Sequence, residues 1–177
     1  MANRVDLLIE KSMRYRGRIL HELSLLELLI NEYIAVYFCK EDRDIIREMH
    51  LLVLGDERIN LNSKIGIFSS IAKNHDTNWY NSYVSLRPTE KKRPPKTMSN
   101  DLIYVIEERN IYAHRAIDMF YTFGDDSSND LVLLRFKNNI EFITIKEEDF
   151  EILSNTIRNL GSYLSGHFIN KKHTSPL

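Results

Sequence analysis

Apolar side chains recur along most of this chain at spacings of three and four, the period that lines one face of an α-helix. The longest stripe runs from about Val5 to Cys39 and includes Leu8, Ile19, Leu23, Leu26, Ile30 and Ile34. Its second half, Leu20 to Phe38, is apolar on most sides and predicts the central core helix, with a break near Gly17. A second helix is predicted over 42–54, ending at Gly55-Asp56. A third covers 62–73, with Ile65, Ile67, Phe68 and Ile71 inward and Asn62 or Ser63 as its cap. A fourth covers 102–121, with Leu102, Val105, Ile106, Ala113, Ile117 and Phe120 on its apolar side. Ser99 or Asn100, with Asp101, is expected to cap it.

The period then changes. Leu131 to Phe136 and Ile140 to Ile145 are β-branched, apolar runs joined by Lys137-Asn138-Asn139, which predicts a β-hairpin. Lys146-Glu147-Glu148-Asp149 suits the positive end of a last helix reaching about Ile169, and 170–177 reads as a frayed tail. Between the third and fourth helices, 74–97 loses its periodicity. Arg87-Pro88-Thr89-Glu90-Lys91-Lys92-Arg93-Pro94-Pro95-Lys96 forbids regular structure and predicts an extended basic loop. That loop is either a solvated linker or, if it folds back toward Arg109, a lip over a polyanion site. The pattern as a whole predicts a mainly all-α fold, an up-and-down bundle of four or five helices with a small C-terminal β-hairpin and a final helix. One domain is expected over 1–177, with its core over about 5–121 and the hairpin and last helix over 131–169.

Composition narrows the classes. A chain of 177 residues, 43% hydrophobic, is long enough for one substantial core. A net charge of -1 provides no global positive field, so a polyanion would have to meet a local patch. The single Cys39 excludes an internal disulfide and a cysteine-rich zinc site, and it fits a reducing compartment. His21, His50, His75, His167 and His173 are scattered without metal-ligand spacing, so neither metal nor cofactor is expected. The N-terminal stretch is too charged for a secretory signal, and no uncharged run approaches the length of a bilayer crossing. The expectation is a soluble, cytoplasmic protein without a membrane partner.

Candidate chemistry lies in the fourth helix, at Glu107-Glu108-Arg109-Asn110-Ile111-Tyr112-Ala113-His114-Arg115. On a helix, Asn110 and His114 stand at i, i+4 on one face, with Arg109 beside them. A guanidinium is a permanently charged fork for two phosphate oxygens. An imidazole, with an ordinary pKa near ~6.5, moves protons at neutral pH. The spacing alone carries little information, because Arg16 and His21 repeat it and Arg43 and His50 repeat a looser version. The context distinguishes Arg109 and His114: Asn follows the Arg and Ala precedes the His, in a helix with a strong core face. Each residue also has a purely structural alternative. Those alternatives are a surface ion pair of Arg109 with Glu107, Glu108 or another acid, an Asn110 that fixes helix register inside the bundle, and a His114 that is a half-buried core histidine.

The stretch Leu102 to His114 resembles the signature helix of the HEPN superfamily, whose hallmark is an Arg, a polar residue such as Asn, and a His a turn on. Leu51-Leu52-Val53-Leu54-Gly55 followed by Ile59 to Phe68, with Lys64-Ile65, is similar to the second and third helices of such domains. The resemblance spans Leu20 to Phe120 and leaves out the hairpin and last helix. It implies a helical bundle that dimerises about a two-fold axis and brings two Arg…His motifs into one cleft. It further implies a metal-independent endoribonuclease of toxin–antitoxin or antiviral-defence systems, with Arg109, Asn110 and His114 as catalytic residues. The partners it implies are a second copy, an RNA substrate, and an antitoxin or regulatory protein. Other members of the superfamily are non-catalytic RNA-binding or scaffold modules, which is the alternative. Ala116 stands where some members carry a Tyr modified by the antitoxin, so that variant is not expected. Glu22 and Glu27 on the first helix are candidates to reach and tune Arg109 or His114.

Overall fold

The spine is α1, an unbroken helix over Arg4–Cys39. The computed structural model describes residues 4–40, 42–88, 96–117, 130–136 and 139–174. The expected break at Gly17 does not occur. Tyr15 and Ile19, both buried, are pinned on either side of it, and that packing outweighs the ~1 kcal/mol that a mid-helix glycine costs.

A short α2 follows, Arg43–Glu48, with the Asp42 carboxylate accepting the backbone N–H groups of Asp44 and Ile45. The sequence predicts one α-helix here to residue 54, but the chain widens into a π-helical stretch, Met49–Leu54. Gly55 closes that stretch by donating its N–H to the His50 carbonyl at 2.8 Å. A Cβ on Gly55 would stand only 2.9 Å from the same oxygen, so the wide turn closes on a residue without a side chain.

Helix α3, Leu61–His75, starts earlier than expected because Asn60, rather than Asn62 or Ser63, caps it, accepting the Ser63 N–H at 3.0 Å. A further short helix, α4 over Thr77–Asn81, lies in the stretch expected to be irregular and buries Tyr80. Helix α5, Met98–His114, is capped reciprocally by Thr97 and Asn100. Asp101, expected at the cap, is instead fully buried and accepts from Tyr83 Oη at 2.7 Å and Arg87 Nε at 2.6 Å.

Helix α5 stops at His114 rather than 121. Arg115 is extended, and Ala116–Ile117 forms strand β1. Strands β2, Leu131–Phe136, and β3, Ile140–Ile145, fall where the hairpin is predicted. The sheet has three strands rather than two, in the order β1-β2-β3, all antiparallel. Ile117 continues the helical apolar spacing, yet pairing with Leu133 takes it into the sheet. Phe120 and the rest of the predicted helix end lie outside the described residues, as do most of the hairpin turn and residues 175–177. Helix α6, Glu147–Thr174, runs past the expected end at Ile169.

Contacts along α1 and α6 give the helix directions. Arg18 meets Glu151 and Tyr33 meets Phe168, so α6 runs parallel to α1. Glu27 meets Lys64 and Tyr37 meets His75, so α3 does as well. Tyr112, near the end of α5, meets Phe150 at the start of α6, while Asp101, near the start of α5, accepts from Tyr83, which Asn159 bonds further along α6, so α5 runs the other way. The result is a mainly helical bundle with a small antiparallel sheet. Leu131, Leu133 and Ile145 of the sheet join one apolar core with α1, α3, α5 and α6. Among the described residues, no helix is long and apolar enough to cross a membrane.

Candidate functional site

The buried side of α5 is formed by Leu102, Val105 and Tyr112, which hold the helix against the core. Arg109 falls at the edge of that face, half-buried, while Asn110 and His114 lie outside it, exposed. Asn110 is therefore not a residue of the bundle interior, and His114 is not a half-buried core histidine. Nor is Arg109 in an ion pair: among the described residues its guanidinium meets no carboxylate. Its Nη1 donates to Asn110 Oδ1 at 3.1 Å and lies 3.4 Å from His114 Nε2.

That last contact constrains the imidazole. A guanidinium has only donors, so His114 can accept from it only as a neutral ring with a lone pair on Nε2 and its proton on Nδ1. The three sequence-predicted residues thus meet around one guanidinium nitrogen. Asn110 contacts the arginine and not the imidazole. The helix end that carries His114 is held by Arg16, whose Nη2 donates to the Arg115 carbonyl at 2.5 Å. Arg16, which shares the uninformative spacing with His21, supports the motif without belonging to it.

Beside the motif opens a cleft of about 1090 Å³ between α1, the 54–62 turn, the start of α3 and α5. Arg109 and Asn110 line it; His114 is not in its lining. Its apolar wall includes Leu23, Leu54 and Ile106. Lys64, only 5% exposed, lies in it and donates from Nζ to Glu27 Oε1 at 2.5 Å. Asn31, 8% exposed, also lines it, and its Oδ1 has no hydrogen-bond partner.

The two glutamates of the first helix separate. Glu27 shares the cleft with Arg109 but is bound to Lys64. Glu22 faces α6, where it accepts from Ser154 and meets Arg18 and Arg158. Asn31 is not among the residues that the sequence singles out, and Lys64 enters there only as half of the Lys64-Ile65 pair, with no place in the site. A signal for Lys64 exists, since it stands at i, i+4, i+7 with Phe68 and Ile71, a lysine on an apolar stripe. Asn31 has none, because one polar residue beside a stripe is ordinary.

The basic loop is tied down away from the motif at both described ends. Arg87 bonds Asp101 and lies with its guanidinium carbon 4.0 Å from the centre of the Tyr104 ring, about two helical turns before Arg109. Lys96 donates to the Pro88 carbonyl at 2.5 Å. Residues 89–95 lie outside the described residues. Near the same stretch of α5, burial pushes the Tyr104 phenol up to about 12. Burial and the neighbouring Asp149 raise the Glu108 carboxyl above the ordinary carboxylate range. Among the described residues, no group of three or more His, Cys, Asp or Glu side chains is placed to hold a metal ion.

Comparisons of the chain with protein-family models, with curated proteins and with solved structures find no match.

Proposed function

We propose that this chain is a HEPN-like, metal-independent endoribonuclease of the toxin or antiviral-defence kind, acting in the cytoplasm from a composite site at a homodimer cleft. The observation that carries it is the meeting of Asn110 and His114 on the Arg109 guanidinium, beside an open cleft and away from any carboxylate partner. A phosphodiester entering the cleft competes for Arg109. When the guanidinium turns to two phosphate oxygens, the Nε2 lone pair of His114 is released to take the ribose 2′-hydroxyl proton. The 2′-oxygen attacks phosphorus and the bond to the 5′-oxygen breaks, with Arg109 neutralising the crowded phosphorane. The products are a 2′,3′-cyclic phosphate and a 5′-hydroxyl.

The leaving 5′-oxygen needs a proton from an acid other than the histidine that has just acted as base. Each motif holds one histidine, so a second copy supplies the other. The surface around the cleft suits such pairing. Leu28 and Ile103 line it while 59% and 54% exposed. Glu107 and Arg109, of opposite sign, both line the cleft, and opposite charges on one surface suit the self-complementary contact that a two-fold axis makes.

A second reading is a non-catalytic dimeric binding or scaffold module. The observation favouring it is the charge of the cleft, where Glu27, Asp56, Glu57 and Glu107 outnumber Lys64 and Arg109. The test is cleavage of mixed RNA in EDTA. Arg109→Ala and His114→Ala are each expected to lower the rate by at least about a hundredfold with unchanged melting temperature. RNA left uncut by the wild type at high concentration, or cut normally by His114→Ala, would sink the ribonuclease reading. If the same variants move the melting temperature or the dimer mass, the scaffold reading takes its place.

A further inference from the structure

We infer that the cleft beside the motif is a base-binding subsite that takes a guanine of the RNA. This rests on the ribonuclease reading only for the position of the phosphate, at Arg109.

The cleft's size, about 1090 Å³, accommodates a nucleotide, since small-molecule sites run to roughly 300–1,000 Å³. Leu23, Leu54 and Ile106 give it apolar surface, as the faces of a base require, and two of its polar groups lie deep. Lys64 and Asn31 are each more than nine-tenths buried. The amide oxygen of Asn31 has no partner, a state that costs free energy unless something else fills it. The motif does not use either residue, and Asn31 stands one helical turn after Glu27, the acceptor of Lys64, on the lining of the same cleft.

The donors and acceptors decide which base. Glu27 and Asn31 offer acceptors, and Lys64 offers donors directly beside Glu27. Guanine presents the complement on one edge, an acceptor O6 beside the donors N1–H and N2–H₂. Adenine and cytosine each place a single amino donor beside a bare ring nitrogen, and uracil flanks its one N–H with two acceptors. A carboxylate next to an ammonium takes one donor and one acceptor from adenine, cytosine or guanine alike; the second acceptor, Asn31 one turn after Glu27 on α1, matches the second donor that only guanine has. Single-stranded bases splayed from the stack are read in this way, on their Watson–Crick edges, by proteins that bind RNA. The excess of carboxylates in the cleft disfavours phosphate in its depth and leaves it to Arg109 at the α5 side.

The experiment is calorimetric titration of the full chain with the four ribonucleoside 5′-monophosphates and with ribose 5-phosphate, which lacks a base. Guanosine monophosphate is expected to bind at least about tenfold tighter than ribose 5-phosphate and ahead of the other three nucleotides. In Asn31→Leu the nucleotides should fall to the level of ribose 5-phosphate. Asn31→Ala serves if the leucine variant does not fold. Arg109→Ala should weaken all five ligands together and keep their order. Equal binding of the five, discrimination that survives both Asn31 variants, or no binding because a second copy fills the cleft would overturn the inference. Guanine discrimination without RNA cleavage removes the ribonuclease reading and leaves the subsite standing. RNA cleavage without discrimination does the reverse.

Discussion

At the scale of single residues, α5 separates two kinds of polar chemistry. At the edge of its buried face, Arg109 meets no carboxylate among the described residues and shares one nitrogen with Asn110 and His114. Elsewhere on the helix, Glu108 is partly buried near Asp149 and Glu107, with Arg87 only partly offsetting them. Its carboxyl therefore titrates above the ordinary range, and the sign of the linkage follows. Between the unfolded and folded values the folded state binds more protons, so stability falls as pH rises through that window and stays lower above it. This is opposite to the usual salt-bridged carboxylate. Glu108→Gln should raise the melting temperature at pH 7, and the gain over wild type should vanish below about pH 4, where the unfolded chain is also protonated. A gain that persists unchanged in acid would show that the glutamine acts by packing and not by removing a charge.

Among the elements, glycines with opposite roles allow a controlled comparison. Gly17 in α1 and Gly66 in α3 have open space where a Cβ would stand. Alanine at either should stabilise by about 0.5–1 kcal/mol through helix propensity. Gly55 is different, because a Cβ there meets the His50 carbonyl at the end of the π-helical stretch. Gly55→Ala should cost about 1–3 kcal/mol, the typical cost of overpacking, when urea midpoints of the three variants are compared. The sequence carries no sign of this difference. Leu51-Leu52-Val53-Leu54 is an unbroken apolar run, and a run without polar positions shows no period from which a widened turn could be read.

The hairpin was legible because β-branched residues and a break in period coincide at Leu131–Phe136 and Ile140–Ile145. The end of α5 was not legible, since Ala113 and Ile117 keep helical spacing and only pairing with Leu133 draws the chain into a strand. The site divides in the same way. Arg109, Asn110 and His114 are local in sequence and can be found from it. The pairing of Glu27 with Lys64 joins residues 37 positions apart, and the orphaned oxygen of Asn31 depends on how three helices meet.

At the scale of the whole molecule, the proposed chemistry requires two copies. Leu28, an exposed leucine of α1 on the lining of the cleft, gives a way to test that requirement without touching Arg109, Asn110 or His114. Leu28→Arg should halve the mass seen in sedimentation equilibrium and leave the melting profile of the monomer intact, because Leu28 is 59% exposed in the single chain. RNA cleavage should fall with the dimer population and recover at protein concentrations that restore it. A monomeric variant that cuts RNA at the wild-type rate would show that one motif suffices.

The junction at Arg115 has a consequence for how such a site varies. Arg109 sits more than a full turn inside α5 and moves only if the helix moves. His114 is the last helical residue, two positions before the first residue of the sheet. Arg109 and His114 are thus anchored in different mechanical parts, one in the bundle and the other at the rim of a small sheet in which β1 pairs with β2. Substitutions in β2, far from the motif in sequence, act as a fine adjustment of one partner against the other. The hairpin is the place where the position of His114 can be shifted while Arg109 stays fixed.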